Sequence, residues 1–254
     1  MNGVKVKELT FGYNEKVVLD HLSFEVNKGE ILTILGPNGS GKTTLLKCLN
    51  MLLKPKGSFF IDSFDISKLN EKEIAKFISY VPQIHSPVFP YKVIDVVVSG
   101  RTPYLEFSTP TKQDYDYAYN ILNKLDLTHL ADKAYTQLSG GQLRLVLIAR
   151  ALVQQPKVLL LDEPTSHLDL KNRLLVLKIL REITSEGITV IMSEHDPNIA
   201  SIFSDKILLM CNGRIVSCGK AKDVLNRENI AKVYGVNVEI FERNGNRYVF
   251  PTVI

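Results

Sequence analysis

The sequence lacks three features that mark large classes of protein: a long apolar run, paired cysteines and a strong net charge. No apolar run approaches the roughly 18–20 residues that a helix needs to cross a bilayer. Residues 1–13 alternate like a strand without an apolar signal segment, so we expect neither membrane insertion nor export through the chain's own sequence. Cys48, Cys211 and Cys218 are odd in number and form no C-x-x-C pair, which indicates reduced cytosolic thiols that fill the core.

The charge balance excludes a strongly basic protein. The chain has 31 Lys and Arg against 27 Asp and Glu, a formal net charge of +4, and its basic residues are dispersed. We therefore expect no nucleic-acid partner, because such a partner requires a basic patch or stripe. The 254 residues, 45% apolar and 23% charged, have the composition of a globular protein with one substantial core.

The periodicity of apolar residues predicts an α/β fold. The segments "VKVKELTFGY" and "HLSFEV" alternate apolar and polar residues and predict an antiparallel β piece, whereas "EILTILG" and "KVLLLDEP" predict buried strands. Helical patterns that follow the buried strands favour a mainly parallel sheet. A mostly helical stretch at about 84–145 predicts a helical subdomain inserted in a single domain that spans 1–254, and Asn244–Gly245 predicts a C-terminal hairpin.

A glycine-rich loop follows the first buried strand and precedes a helix. The residues "GPNGSGKT" (Gly36–Thr43) fit the pattern G-x-x-x-x-G-K-[ST] in the context that a phosphate-binding P-loop requires. Its glycines let backbone N–H groups turn toward phosphate, and the dipole of the following helix adds positive potential. We expect Lys42 to reach the β- and γ-phosphates of a nucleotide and Thr43 to place its hydroxyl on Mg²⁺.

Two acidic residues end a second buried strand. The segment "VLLLDEP" places Asp162 and Glu163 directly after apolar residues. Because successive side chains of a strand face opposite ways, we expect the two carboxylates to diverge. Asp162 is predicted to hold Mg²⁺, and Glu163 to orient and deprotonate an attacking water.

A competing nucleotide pattern is "NKLD" at Asn123–Asp126, which matches the N-K-x-D that reads guanine in P-loop GTPases. In that role it should follow a buried strand. Here Ile121, Leu122 and Leu125 recur at helical spacing, so we interpret the pattern as the solvated face of a helix.

A second glycine-rich helix start, "LSGGQ" at Leu138–Gln142, precedes another long helical pattern. It is one of five motifs along the chain. The other four are "GPNGSGKTT", "VPQ", "LLLDEP" with "SHLD" after it, and "SEHD". Through these motifs the sequence resembles, over essentially its full length, the nucleotide-binding subunits of ATP-binding cassette (ABC) transporters. The resemblance implies an ABC ATPase fold with a P-loop core, and an ATPase that uses ATP and Mg²⁺.

The resemblance also implies roles for particular residues. Tyr13 in "FGYN" would stack on adenine, Gln83 in "VPQ" would contact Mg²⁺ and the attacking water, and His195 would contact the γ-phosphate and hold Glu163 in line. The nucleotide would lie on Gly36, Pro37, Asn38, Gly39, Ser40, Gly41, Lys42, Thr43 and Thr44. Two chains would dock head to tail, so that residues of one chain complete the ATP site of the other: Ser139, Gly140, Gly141, Gln142 and Asp169.

The chain departs from the family pattern in two places. Leu143 and Leu145 flank Arg144 where a polar pair usually follows LSGGQ, which puts the polar contacts behind this helix in question. Glu194 precedes His195 where a small or apolar residue is more common. We hypothesise that this extra acid, near the γ-phosphate, slows hydrolysis.

The segment "VFPYKVIDVVVSGRTPY" and the tail "ENIAKVYGVNVEIF" are similar to importers of metal chelates, such as iron–siderophore, haem and cobalamin, and of molybdate or tungstate. That likeness implies a homodimer on the cytoplasmic face of the cell membrane. A separate permease dimer would hold it there, and an extracytoplasmic binding protein would be an indirect partner of the chain. Three alternatives stay open: the ATPase of another importer class, a soluble ABC ATPase acting on a nucleic-acid or protein complex, and a non-hydrolysing ATP-gated scaffold. The presence of Glu163 and His195 argues against the last of these.

Overall fold

A six-stranded sheet forms the centre of the computed structural model, which describes residues 3–83, 85, 87–105 and 109–252. In chain order the strands are β1 (Gly3–Tyr13), β2 (Lys16–Asn27), β3 (Ile31–Leu35), β4 (Lys56–Ile61), β5 (Phe64–Asp65), β6 (Ile78–Val81), β7 (Val158–Leu161), β8 (Thr189–Ser193), β9 (Lys206–Cys211), β10 (Arg214–Gly219), β11 (Val238–Arg243) and β12 (Asn246–Pro251). The helices are α1 (Lys42–Leu49), α2 (Glu71–Ile74), α3 (Val93–Val98), α4 (Lys112–Lys124), α5 (Gly140–Leu152), α6 (Leu170–Ser185), α7 (Pro197–Phe203), α8 (Ala221–Val224) and α9 (Arg227–Tyr234).

The central sheet has the strand order β10-β9-β3-β8-β7-β6. Strands β9, β3, β8, β7 and β6 run parallel to one another, and β10 pairs antiparallel with β9 at one edge. All residues of β3, β7 and β8 are buried, as expected for a parallel sheet covered on both faces. Along β7, Leu159 and Leu161 pack in the core formed with α5 and α6, while Leu160 packs in the core formed with α1. The predicted α/β fold is confirmed.

A four-stranded sheet with the order β2-β1-β4-β5 lies beside the central sheet and is antiparallel throughout. Its inward residues alternate with exposed ones; Val6 of β1 and Phe59 of β4 share a core with Leu45 and Leu46 of α1. This is the antiparallel piece that the alternating N-terminal segments predict. It supports the helix that begins at the P-loop.

Between β6 and β7 the described chain is mostly helical. Helices α3, α4 and α5 pack through one core that includes Val97, Leu122 and Val146. Residues 84, 86 and 106–108 of the predicted helical stretch lie outside the described residues. The predicted limit at residue 145 falls inside α5, so the bounds of a helical subdomain stay a prediction.

The "NKLD" pattern lies at the end of a helix and does not follow a buried strand. Asn123 and Lys124 are the last two residues of α4 and are exposed, and Leu125 caps it. The Lys124 ammonium forms an ion pair with Glu186. The interpretation of this pattern as a solvated helix surface is confirmed.

The C-terminal third contains elements that the periodicity did not predict. Strand β10 and helices α7, α8 and α9 are additions, whereas the hairpin β11–β12 around Asn244–Gly245 is confirmed. The core expectation for cysteines is right for Cys48 but wrong for Cys218, which is exposed, and Cys211 is half-buried. Among the described residues, no helix combines the length and the apolar character that a membrane crossing requires.

Candidate functional site

The P-loop is the connection from β3 to α1, and its backbone requires glycine at its first position. Gly36 has φ +153°, and a Cβ added there would lie 2.4 Å from the carbonyl oxygen of Met210. Gly41 caps α1 with φ +103°, a region that residues with side chains rarely adopt. The glycines therefore fix the close approach of the loop to β9 and the direction in which α1 begins.

The Lys42 side chain folds back over the loop. Its Nζ donates hydrogen bonds to the carbonyl oxygens of Gly36 at 2.7 Å and Pro37 at 3.1 Å. Burial lowers the pKa of this ammonium, while the negative charges of Glu163 and Asp162 act in the opposite direction. The ammonium is thus a desolvated positive charge held at the mouth of the loop.

An open cavity of about 550 Å³ brings together nine of the residues that the sequence predicts for the site. Its lining consists of Val18, Asn38, Gly39, Gly41, Lys42, Thr43, Thr44, Gln83, Glu163 and His195. The P-loop, the end of β6 and the ends of β7 and β8 therefore meet around one space, at the carboxyl edge of the parallel strands. This is the edge where ligands bind in open α/β sheets.

The two acids behind this cavity have separate partners. Glu163 Oε2 accepts a hydrogen bond from Gln83 Nε2 at 2.6 Å, and Oε1 lies 2.5 Å from His195 Nε2. Asp162 is 2% exposed, and its Oδ1 accepts a hydrogen bond from Ser193 Oγ at 2.6 Å. The carboxylates therefore diverge as predicted, and Glu163 is held between an amide and an imidazole.

Other predicted residues do not line this cavity. Tyr13 ends β1 with 49% of its surface exposed and packs edge-on against Phe11, with ring centroids 5.0 Å apart. Ser139 caps α5 and Asp169 caps α6 through their side chains. A Cβ added at Gly141 would lie 2.8 Å from Cγ of Asn172, so the LSGGQ segment packs closely against the start of α6.

Arg144 supplies the polar contacts that the unusual "LRL" sequence put in question. Its Nη1 and Nη2 each donate a 2.9 Å hydrogen bond, to the carbonyl oxygens of Pro82 and Gln83. The guanidinium is buried, and burial lowers its pKa against the opposing charges of nearby acids. Helix α5 is therefore tied to the backbone of the loop that carries the Gln83 side chain into the cavity.

Glu194 is not an extra acid in the cavity, and this part of the sequence hypothesis is wrong. Its side chain alternates with that of His195 and turns inward, where Oε1 accepts a hydrogen bond from Thr165 Oγ1 at 2.6 Å. Burial raises the pKa of the Glu194 carboxyl. The residue supports the segment that follows Glu163 rather than facing a phosphate.

Sequence reasoning missed Ser193 and Tyr80. Ser193 is fully buried at the end of β8, and Tyr80 lies on β6 with its hydroxyl 3.5 Å from Asp162 Oδ2. The available signal was a polar residue that ends the apolar run "ITVIM" beside "EHD". A single polar residue of this kind does not identify its partner, because the partner comes from a different strand.

The residues present fit a nucleoside triphosphate and Mg²⁺. A Cβ added at Gly39 would meet no atom within 4 Å, so phosphate can approach the loop backbone. The oxygens of Thr43, Gln83 and Asp162 are the ligand type that Mg²⁺ prefers. In the described ranges, no group of three or more His, Cys, Asp or Glu could hold a metal, which suits an ion that takes other ligands from phosphate and water.

Comparisons with known proteins agree on one family. The family model for ABC transporters matches residues 19–166. An ABC transporter ATP-binding protein of Methanocaldococcus jannaschii is 43% identical over 98% of this chain and 97% of its own length. An iron chelatin transport ATP-binding protein of Helicobacter pylori is 38% identical, covering 97% and 98%. The molybdate import ATP-binding protein of Haemophilus influenzae is 38% identical, covering 94% and 90%.

Solved structures show the same relationship. A metal-chelate type ABC transporter in an inward-facing conformation has a TM-score of 0.86 at 34% identity, covering all of this chain and 98% of that one. A dimeric ATP-binding cassette in a post-hydrolysis state, with ADP and phosphate bound, has a TM-score of 0.73 at 29% identity, covering 86% and 98%. Since the family model and full-length relatives cover most of its sequence, the chain belongs to the ABC transporter ATP-binding family and is an ATPase.

Proposed function

We propose that this ATPase dimerises head to tail and powers the import of a metal chelate or oxyanion through a separate membrane permease. One observation carries this proposal. A single loop lines both the phosphate cavity, through Gln83, and a neighbouring apolar groove, through Pro87, Val88 and Phe89. A loop shared in this way can transmit the state of the nucleotide to a partner in the groove.

For the hydrolysis step we assign Glu163 as the general base. Its carboxylate is oriented by Gln83 and His195, one on each oxygen, so it can accept a proton from a water placed between it and the phosphate. On nucleotide binding, the Lys42 ammonium would exchange its two carbonyl acceptors for the β- and γ-phosphates. There it would stabilise the negative charge that develops on the phosphate oxygens during hydrolysis. Mg²⁺, when bound by Thr43, Gln83 and Asp162, would neutralise charge on the phosphate oxygens.

Several predicted residues lie at the start of α5 and do not line the cavity. Ser139 and Gly140 are exposed at the start of α5, and a Cβ added at Gly140 would meet no atom within 4 Å. The N–H group of Gly140 can approach a phosphate of another chain. The N–H group of Ser139 donates a 3.1 Å hydrogen bond to Gln142 Oε1, within the capping box of α5. We therefore assign Ser139, Gly140, Gly141, Gln142 and Asp169 to the ATP site of a second copy, and Tyr13 to the adenine of its own. The dimeric neighbour with bound ADP supports this arrangement.

The groove is our proposed permease site. It has a volume of about 520 Å³ and is lined by residues of the loop and of α3, together with Tyr135 and Arg150. Val88 is 77% exposed, and Phe89 and Tyr91 are each 61% exposed. Exposed apolar side chains grouped beside a cavity indicate a protein interface. A permease docked here would hold the dimer at the cytoplasmic face of the membrane.

The cargo class follows from likeness alone. The relatives named for iron chelatin and molybdate, and the neighbour of metal-chelate type, support metal chelates or oxyanions such as iron–siderophore, haem, cobalamin, molybdate or tungstate. An extracytoplasmic binding protein would deliver the cargo to the permease. The cargo would not contact this chain.

Co-purification tests the proposal. The chain is tagged at its natural expression level, membranes are solubilised gently, and the captured proteins are identified by mass spectrometry. We expect a polytopic permease, together with a binding protein that can be screened against iron chelates, cobalamin, haem and molybdate. Capture of soluble partners alone would favour an ABC ATPase that acts on a nucleic-acid or protein complex.

A pair of matched variants locates the permease contact. Phe89→Asp should abolish capture of the permease, because a charge would be buried in an apolar interface. Phe241→Asp is the control, since Phe241 is 52% exposed on the C-terminal hairpin and is not among the residues that line the groove. Equal capture by both variants would remove the groove from the proposal.

A further inference from the structure

One buried hydroxyl links the two acids of the site. Ser193 is 0% exposed at the end of β8. Its Oγ donates a hydrogen bond to Asp162 Oδ1 at 2.6 Å and accepts one from the backbone N–H of Glu163 at 2.9 Å. The donor and one acceptor position of this hydroxyl are thus both used, on the two consecutive residues that follow the neighbouring strand β7.

The backbone that Ser193 contacts has an unfavourable conformation. Glu163 has φ +47°, in the left-handed region that a residue with a side chain rarely adopts. Its carbonyl oxygen accepts hydrogen bonds from Ser166, from the backbone N–H at 3.2 Å and from Oγ at 3.0 Å. The residue is therefore held at both its N–H and its C=O, which is how a strained conformation persists at a functional site.

The positive φ of Glu163 determines where the side chains of Asp162 and Glu163 point relative to each other. Asp162 follows the strand direction of β7, and the turn at Glu163 sends the next carboxylate to Gln83 and His195. Oδ1 of Asp162 accepts the 2.6 Å hydrogen bond of Ser193, whereas Oδ2 has only the long 3.5 Å contact with the Tyr80 hydroxyl and is the oxygen that can turn to another ligand. One hydroxyl thereby sets the direction of the first carboxylate and the backbone of the second.

We propose that Ser193 is a positioning residue that fixes Asp162 for the metal and Glu163 for the water at the same time. The proposal rests on the roles proposed above for these two acids. Groups that orient a metal ligand from behind change metal affinity or activity by about 10–100-fold when they are removed. Loss of the hydroxyl should therefore affect metal binding and turnover together, and leave metal-free nucleotide binding intact.

The test compares Ser193→Ala with wild type in the full-length chain. Binding of Mn²⁺ in the presence of ADP is measured by electron paramagnetic resonance, and binding of a fluorescent ATP analogue is measured in EDTA. We expect the Kd for Mn²⁺ to rise about 10–100-fold and the metal-free nucleotide Kd to stay within about twofold. ATP turnover should fall by a factor similar to that for Mn²⁺ affinity.

Two further variants make the result specific. Ser193→Thr keeps a hydroxyl that can orient Asp162, so its Mn²⁺ Kd should stay within about threefold of the wild-type value. Ser201→Ala removes another buried serine hydroxyl, which lies on α7 and accepts a 2.9 Å hydrogen bond from the backbone N–H of Arg247. It should leave Mn²⁺ binding unchanged.

Three outcomes would overturn the inference. They are a Ser193→Ala protein with wild-type Mn²⁺ affinity, an equal loss in the alanine and threonine variants, or a parallel loss of metal-free nucleotide binding. Measuring Glu163→Gln alongside separates the two proposals. If Glu163→Gln turns over ATP normally, the assigned role of Glu163 is wrong; if it is inactive while Ser193→Ala behaves as wild type, only the inference about Ser193 fails.

Discussion

Replacing Arg144 by methionine removes the tie between α5 and the loop that carries Gln83. Methionine is of similar length and is apolar, so the variant deletes two 2.9 Å hydrogen bonds without opening a large cavity. The carbonyl oxygens of Pro82 and Gln83 lose their donors, and Gln83 is then held less firmly against Glu163. Both stability and turnover should fall.

The magnitude follows from two opposing terms. A hydrogen bond to a charged group contributes about 1.5–3 kcal/mol, which for two bonds sets the upper range of the loss. Burial lowers the pKa of Arg144, because taking the charged guanidinium out of water costs free energy. Methionine is uncharged and has no such cost, which offsets part of the loss. We expect the free energy of unfolding to fall by about 2–3 kcal/mol, and Tm to fall by roughly 4–12 °C for a chain of this size.

The assay is urea unfolding followed by circular dichroism, with ATP turnover measured on the same samples. Lys178→Met is the control, because Lys178 is exposed on α6 and forms a long, 3.7 Å ion pair with Glu182. A surface change of this kind stays within about 0.5 kcal/mol. If Arg144→Met unfolds with the stability of the control and keeps its turnover, the two hydrogen bonds do not hold this loop.

Two further predictions concern the acids. Glu163→Gln should abolish turnover but keep ATP binding, so that ATP traps a dimer visible by light scattering. Adding Ser139→Arg to this variant should prevent the trapped dimer and leave nucleotide binding unchanged. A dimer that persists in the double variant would contradict the shared site. For Glu194, burial raises the carboxyl pKa above its ordinary value of 4.5, so the stability it contributes is fully present below pH 4.5 and is lost as pH rises through the raised pKa. Glu194→Gln does not ionise, so in urea unfolding its stability relative to wild type should be greater at pH 8 than at pH 4.5; a difference independent of pH would refute this.

Much of the site could be predicted because its residues are consecutive. Gly36–Thr43, Asp162 with Glu163, and His195 each follow a buried strand, and parallel strands bring such ends to one edge. The sequence could not show that Glu194 turns inward while its neighbour faces the cavity. That direction depends on the pleat of β8 and on Thr165, which lies on a different segment.

The C-terminal third was predicted least well, for physical reasons. Strand β10 pairs with β9 around a tight turn at Asn212 and Gly213, both with positive φ, which is the geometry of a short hairpin. The sequence contains this Asn-Gly signal, but the following "RIVSCG" has too little apolar alternation to stand out. Helices α7, α8 and α9 have 7, 4 and 8 residues, so each is too short to show a clear helical period.

The loop shared by the cavity and the groove sets a thermodynamic rule for the proposed transporter. If nucleotide at Gln83 changes the affinity of the groove for its partner by some factor, then the partner must change the affinity for nucleotide by that same factor. A permease that binds the groove around Phe89 with higher affinity in one of the permease's conformations is therefore also an allosteric effector of ATP binding. Measuring one of these two affinities with and without the other ligand gives the coupling free energy between energy supply and transport.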